Sequence, residues 1–134
     1  MNKKSEYKAR NVQFMVDLAK EEGICKLPKG ILYKVLESGN PEGKTPKPNS
    51  VVSVHYTGKL INGRTFDDTR RDQCPAAFRL YEVIEGWQIA LSQRHPGDRW
   101  MIYIPAPMAY GSQSDPDIPG NSTLIFDVQL LSIA

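Results

Sequence analysis

The chain is poor in nearly everything that marks a conventional catalytic centre. Its 134 residues include two cysteines and two histidines. Cys25 and Cys74 lie far apart, with neither a CxxC pair nor metal-ligand spacing, so free thiols are expected. Cys74 follows the Phe66-Asp67 pair that enters the pocket argument below, which leaves a redox or modification role open for it. A thiol nucleophile would have to draw on His55 or His95, and alternation through Val52, Val54 and Tyr56 turns His55 onto the face opposite Tyr56. Nucleophile, base and metal ligand nowhere recur together, and neither a metal nor a cofactor is expected. A net charge of +2 gives no footing for nucleic acid. Lys3, Lys4, Lys8 and Arg10 read instead as a solvated helix face. The basic N-terminus is not followed by the apolar run of a secretory signal, and no segment reaches membrane-spanning length. As written, the sequence reads as cytoplasmic, or periplasmic if it is a processed or trimmed form.

Length and ordinary composition suit one domain with a small appendage, able to bury a core without disulfide or metal staples. Tyr7, Asn11, Phe14 and Leu18, with Val12, Met15 and Ala19 alongside, predict a helix from about Lys4 to Glu22, with Gly23 as its stop. Its apolar stripe must cover its own domain, a second copy or an N-terminal segment. Ile31 to Leu36 reads as a first strand, and the Pro-, Gly- and Lys-rich stretch from Gly39 to Asn49 as a surface loop. Val51 to Thr57 alternates, and a tight turn at Ile61-Asn62-Gly63-Arg64 predicts a hairpin into Thr65-Phe66. Val83, Trp87, Ala90 and Leu91 follow helical spacing, and strands follow at Trp100 to Ile104 and Thr123 to Leu131. Many strands with one internal helix predict an α+β domain at 27–134, preceded by a helical extension at 1–26.

Five dispersed segments carry the chemistry: Val54-His55-Tyr56-Thr57-Gly58, Thr65-Phe66-Asp67-Asp68, Val83-Ile84-Glu85-Gly86-Trp87, Ala109-Tyr110-Gly111 and Thr123-Leu124-Ile125-Phe126-Asp127. Each sets an aromatic residue beside glycine, a β-branched residue or a carboxylate, the makings of a dry cup with a few placed polar groups. Their order and spacing, from about Leu27 to Ile133, resemble the FKBP-type peptidyl-prolyl cis-trans isomerases, closest to the bacterial branch related to the macrophage infectivity potentiator.

The resemblance implies a strongly bent antiparallel half-barrel wrapped around one short helix. It also implies catalysis of rotation about X–Pro bonds, without metal or cofactor, with a chaperone-like proline-peptide module as the alternative. Trp87 matches the pocket floor, and Tyr56, Phe66, Tyr110 and Phe126 its walls. Val83 and Ile84 match its substrate-binding rim, with the Ile84 N–H as a peptide anchor, and Ile118 is a further substrate contact. Asp67 matches the pocket carboxylate, with two roles open to it: a structural bond that orients Tyr56, Arg70 or Arg71, and a dipole facing the twisting amide. Expected partners are proline-containing peptides or unfolded proteins, macrolide immunosuppressants, and a second copy of the chain through the N-terminal helix. Glu85 and Gly120 stand where the bacterial relatives usually carry proline, and both relax the local backbone. Ala76, where some eukaryotic members carry an aromatic residue, predicts a more open wall. Asp115 and Asp117 lie in a loop that overhangs the pocket in the family, and a negative lid disfavours acidic peptides.

Overall fold

The computed structural model describes residues 2–134. Helix α1 spans Lys3–Leu18, with the Asn2 side chain accepting from the Ser5 N–H at its start. It is shorter than its periodicity predicts. After Leu18 the backbone tightens into three-residue turns, Lys20 N–H to Asp17 and Glu21 N–H to Leu18, before Gly23 at φ +85° redirects the chain. The Tyr7, Asn11, Phe14 and Leu18 side of the stripe faces its own domain, while Val12 stays exposed. Asn11 is buried: its Oδ1 accepts the Thr123 N–H at 2.8 Å and its Nδ2 donates to the Tyr7 carbonyl at 2.8 Å. Tyr7 meets Ser122 at 2.7 Å, Leu18 is buried, and the Phe14 ring lies 6.5 Å from that of Tyr103.

Strands β1 (Cys25–Lys26), β2 (Leu32–Glu37), β3 (Val51–Lys59), β4 (Thr65–Asp68), β5 (Ala76–Arg79), β6 (Arg99–Ile104) and β7 (Leu124–Ile133) form one antiparallel seven-stranded sheet. Its order is β1-β2-β6-β7-β3-β4, with β5 also pairing β3. Neither β1 nor β5 is signalled by alternation, and β1 lies on the extension's side of the expected 26/27 boundary. Strand β3 is the hub, pairing with β4, β5 and β7, with register shifts at Ser53/Val54 and Gly58/Lys59. Such bulges bend and twist a sheet, and here they curl it around helix α2 (Glu85–Leu91).

Alternation sends Val52, Val54, Tyr56, Ile102, Ile104, Leu124, Phe126 and Val128 inward against Trp87, Ala90 and Leu91 of α2. Two glycines let these layers close. A Cβ on Gly86 would stand 2.5 Å from Ile104 Cγ2, and one on Gly58 would stand 2.6 Å from Phe66 Cζ. Val83, read as part of the helical spacing, caps a 3₁₀ turn at Leu80–Glu82 instead.

Candidate functional site

Tyr56, Phe66, Asp67, Val83, Ile84, Trp87, Tyr110 and Phe126 meet around one cavity of about 340 Å³. They come from β3, β4, β7, the turn before α2, α2 itself and the Tyr110 turn, so the sheet's curl unites residues up to 70 positions apart. The rings lock edge to face. Trp87 lies 5.1 Å from Tyr56 at 89°, 5.2 Å from Phe126 at 84° and 5.8 Å from Phe78 at 88°. Phe66 meets Phe126 at 5.7 Å and 86°. T-shaped pairs set the positive edge of one ring against the negative face of the next, which fixes orientation as well as burying area. The Trp87 indole N–H is buried without an oxygen or nitrogen partner, which leaves ring faces or a bound group to receive it.

Asp67 accepts a hydrogen bond from the Tyr56 hydroxyl and makes no ion pair with Arg70 or Arg71 among the described residues. Burial first, then this bond, pushes the Tyr56 hydroxyl well above its ordinary pKa, keeping it a neutral donor. Arg70 turns instead to Asp127 at 3.2 Å, which also takes a two-pronged contact from Arg99 at 2.8 and 2.9 Å. Burial raises the Asp127 carboxyl, but the Arg99 bonds and the Arg70 charge outweigh it and hold the group below its usual range. The latch clamps β7 next to Phe126.

Tyr110 stands at the mouth, with burial, then Asp115 and Asp67, raising its hydroxyl pKa. The Ile84 N–H has no partner among the described residues, while its carbonyl begins α2 by accepting from Trp87 and Gln88. Glu85 pairs with Lys29 at 2.9 Å, tying the rim to the turn at Pro28–Gly30.

Ile118 is not part of the cavity wall. Asp115 Oδ1 accepts both the Asp117 and Ile118 N–H groups at 2.8 Å, and this turn drives the Ile118 side chain into the core. Arg64 donates to the Asp117 carbonyl, fastening the same loop to the β3-β4 turn. Phe78 and Glu82 line the cavity and were absent from the sequence reading. Phe78 supplies an aromatic wall from the strand that carries Ala76. Cys74 is exposed and lies outside the lining, as does the exposed Cys25.

Residues 42–131 match the family described as FKBP-type peptidyl-prolyl cis-trans isomerase. The chain belongs to that family. It is 43% identical over 121 residues to the peptidyl-prolyl cis-trans isomerase Mip of Coxiella burnetii, covering 90% of this chain and 52% of that protein. It is 40% identical over 134 residues to the outer membrane protein MIP of Legionella longbeachae, covering 98% and 57%. The FKBP-type chain thus spans about half the length of these relatives. The crystal structure of a peptidyl-prolyl cis-trans isomerase from Pseudomonas syringae superposes with a TM-score of 0.89 at 31% identity, over 100% of this chain and 98% of that one.

Proposed function

We propose that the protein is a peptidyl-prolyl cis-trans isomerase acting on exposed X–Pro bonds of peptides and unfolded chains, with 27–134 as the isomerase domain and 1–26 as its helical extension. The convergence of Tyr56, Phe66, Trp87, Tyr110 and Phe126 on one opening carries this reading. Rotation about X–Pro faces a barrier of about 18–20 kcal/mol because twisting destroys amide resonance. The planar amide separates charge and the twisted one does so less, so a dry, ring-lined medium favours the twisted form. Lowering the barrier by about 7 kcal/mol would speed exchange by roughly five orders of magnitude.

Trp87 is the floor under the proline ring, and Tyr56, Phe66, Phe78 and Phe126 are the walls. Asp67 orients Tyr56. Val83 and Ile84 form the rim, the Ile84 N–H and the Tyr110 hydroxyl anchor peptide carbonyls, and Ile118 supports the wall from behind. A donor to the oxygen of the rotating amide would stabilise the planar state, so Tyr110 serves a neighbouring carbonyl. Macrolide immunosuppressants compete for the same cup. One relative's name places it at an outer membrane, and the periplasmic rather than the cytoplasmic reading is the one we adopt. Among the described residues, no helix is long and apolar enough to cross a membrane. A homodimer through α1 would have to use its outward face, since Asn11 and Leu18 are spent on the domain.

The test is NMR exchange on X–Pro peptides with wild type and with Tyr110→Phe. Wild type should broaden the cis and trans lines. Tyr110→Phe should raise KM about fivefold with little change in kcat, the loss of one hydrogen bond of about 1 kcal/mol made equally in ground and transition states. Peptide binding without broadening would demote the protein to a proline-peptide binding module.

A further inference from the structure

Helix α1 leaves an apolar channel beside the cup. Val12 and Val16 are 57% and 45% exposed although they sit on a well-anchored helix. With Met15 they form one wall of a groove of about 590 Å³ whose other wall is Pro105, Ala106 and Pro107. The groove continues past Met15 and Val16 toward Ala19 and Leu27 along the same helix face. Among the described residues its charged lining is Lys8 and Lys29, with Lys26 in the continuation. The cup, by contrast, is lined by Asp67 and Glu82 and, among the described residues, by no cation.

Consecutive residues of one segment line the cup and the groove. Tyr110 lines the cup while Gly111 and Ser112 line the groove. On the other side, Ile84 at the cup's rim is followed by Glu85, whose carboxylate holds Lys29 of the groove at 2.9 Å. A chain leaving the cup over this ridge therefore meets an apolar trough with cations at its edge.

We propose that the groove between α1 and residues 105–112 is a second client subsite, binding an apolar, carboxylate-bearing stretch of the same chain whose proline occupies the cup. This rests on the cup being the proline site. Two apolar walls bury client side chains, Lys8 meets a client carboxylate while Lys29 stays paired with Glu85, and adjacency makes the second contact intramolecular once the proline is held. The arrangement selects unfolded clients in which an acidic-apolar segment flanks the proline.

Three labelled peptides test it by fluorescence anisotropy with the full chain: acetyl-Ala-Lys-Pro-Phe-amide, and the same peptide extended by Leu-Glu-Val-Leu-Glu at its N-terminal or at its C-terminal end. One extension should tighten binding about tenfold or more, the gain from burying one further large apolar side chain. The readout is the ratio of extended to short affinity within each protein. Val12→Ser/Val16→Ser should return that ratio to about one, and Lys8→Glu should lower it. A ratio of one for both extensions in wild type overturns the proposal, as does a gain that survives the double substitution. So does sedimentation showing a dimer that Val12→Ser/Val16→Ser converts to monomer, since a second copy then fills the groove. Failure of the cup reads out separately, as a short peptide neither bound nor isomerised.

Discussion

The aromatic cup and the groove beside α1 are neighbours built on opposite plans. The cup is assembled from segments scattered through the sheet and α2, with the rings of Tyr56, Phe66, Phe78, Trp87 and Phe126 held edge-on by one another and with carboxylates as its charges. The groove owes one wall to a single helix, pinned by the Asn11 to Thr123 and Tyr7 to Ser122 hydrogen bonds, and its charges are cationic. Chemistry on a rotating amide needs a fixed, dry shape. Holding a variable flank needs apolar area and tolerance, which Met15 and two exposed valines supply. The same molecule thus separates a site that must be rigid from one that need only be greasy.

Gly58→Ala should break the comparison most sharply. Its Cβ would press on Phe66 Cζ at 2.6 Å and Phe126 Cε1 at 3.0 Å, so two walls must shift. We expect a loss of about 1–3 kcal/mol in chemical denaturation and an isomerisation rate down about 100-fold, the scale of a misplacement of about 1 Å. Binding in the groove should survive; equal loss at both sites would mean that they are not separable.

Tyr56→Phe probes the cup's polar wall. A tyrosine whose folded pKa is raised contributes stability that is fully present below its ordinary value of 10.0 and is lost as pH rises from there through the higher folded value. Wild-type melting temperature should therefore fall more steeply above about pH 10 than that of Tyr56→Phe, which starts about 1 kcal/mol less stable for want of the Asp67 bond. Parallel alkaline curves would show that the hydroxyl is not held by Asp67.

The smallest effect concerns charge. Asp115 near Tyr110, Asp117 in the same loop and Glu82 at the cup should favour Lys over Glu before proline by about threefold at low salt, fading as salt screens exposed charges. Glu placed in the groove-binding flank should show the opposite preference. Equal turnover of Lys-Pro and Glu-Pro peptides at low salt would remove the lid from specificity.

Much of the cup was legible because its chemistry is written in residue types that few other roles require together. Tyr56, Trp87 and Phe126 each sit at an inward position of an element whose alternation or helical spacing can be read directly, and Phe66 is marked by the turn before it and by the family resemblance. Phe78 was missed because β5 is only Ala76–Arg79, too short to show a period, and it pairs with Val51–Val54 of β3, the stretch of that edge that β4 leaves open. Ile118 misled for the opposite reason: an apolar residue in a charged loop looks aimed at substrate, and the Asp115 side-chain turn that points it inward is a local competition no periodicity reveals. The end of α1 was overextended because Lys20 to Glu22 are good helix formers by propensity but lie exposed, with no buried face to hold them helical. The groove was illegible, since its walls come from residues 8–16 and 105–112, which nothing in the sequence links.

The account stands or falls on whether the ring-lined cup makes the bound X–Pro amide easier to turn. The direct measurement is the cis-trans exchange rate of an X–Pro peptide at saturating protein, by wild type and by folded Trp87→Leu. We predict bound exchange several orders of magnitude faster than the tens to hundreds of seconds of the free peptide, and a drop of about 100-fold when the floor is removed. Bound peptide turning at the free rate, or Trp87→Leu exchanging it as fast as wild type, would contradict the account.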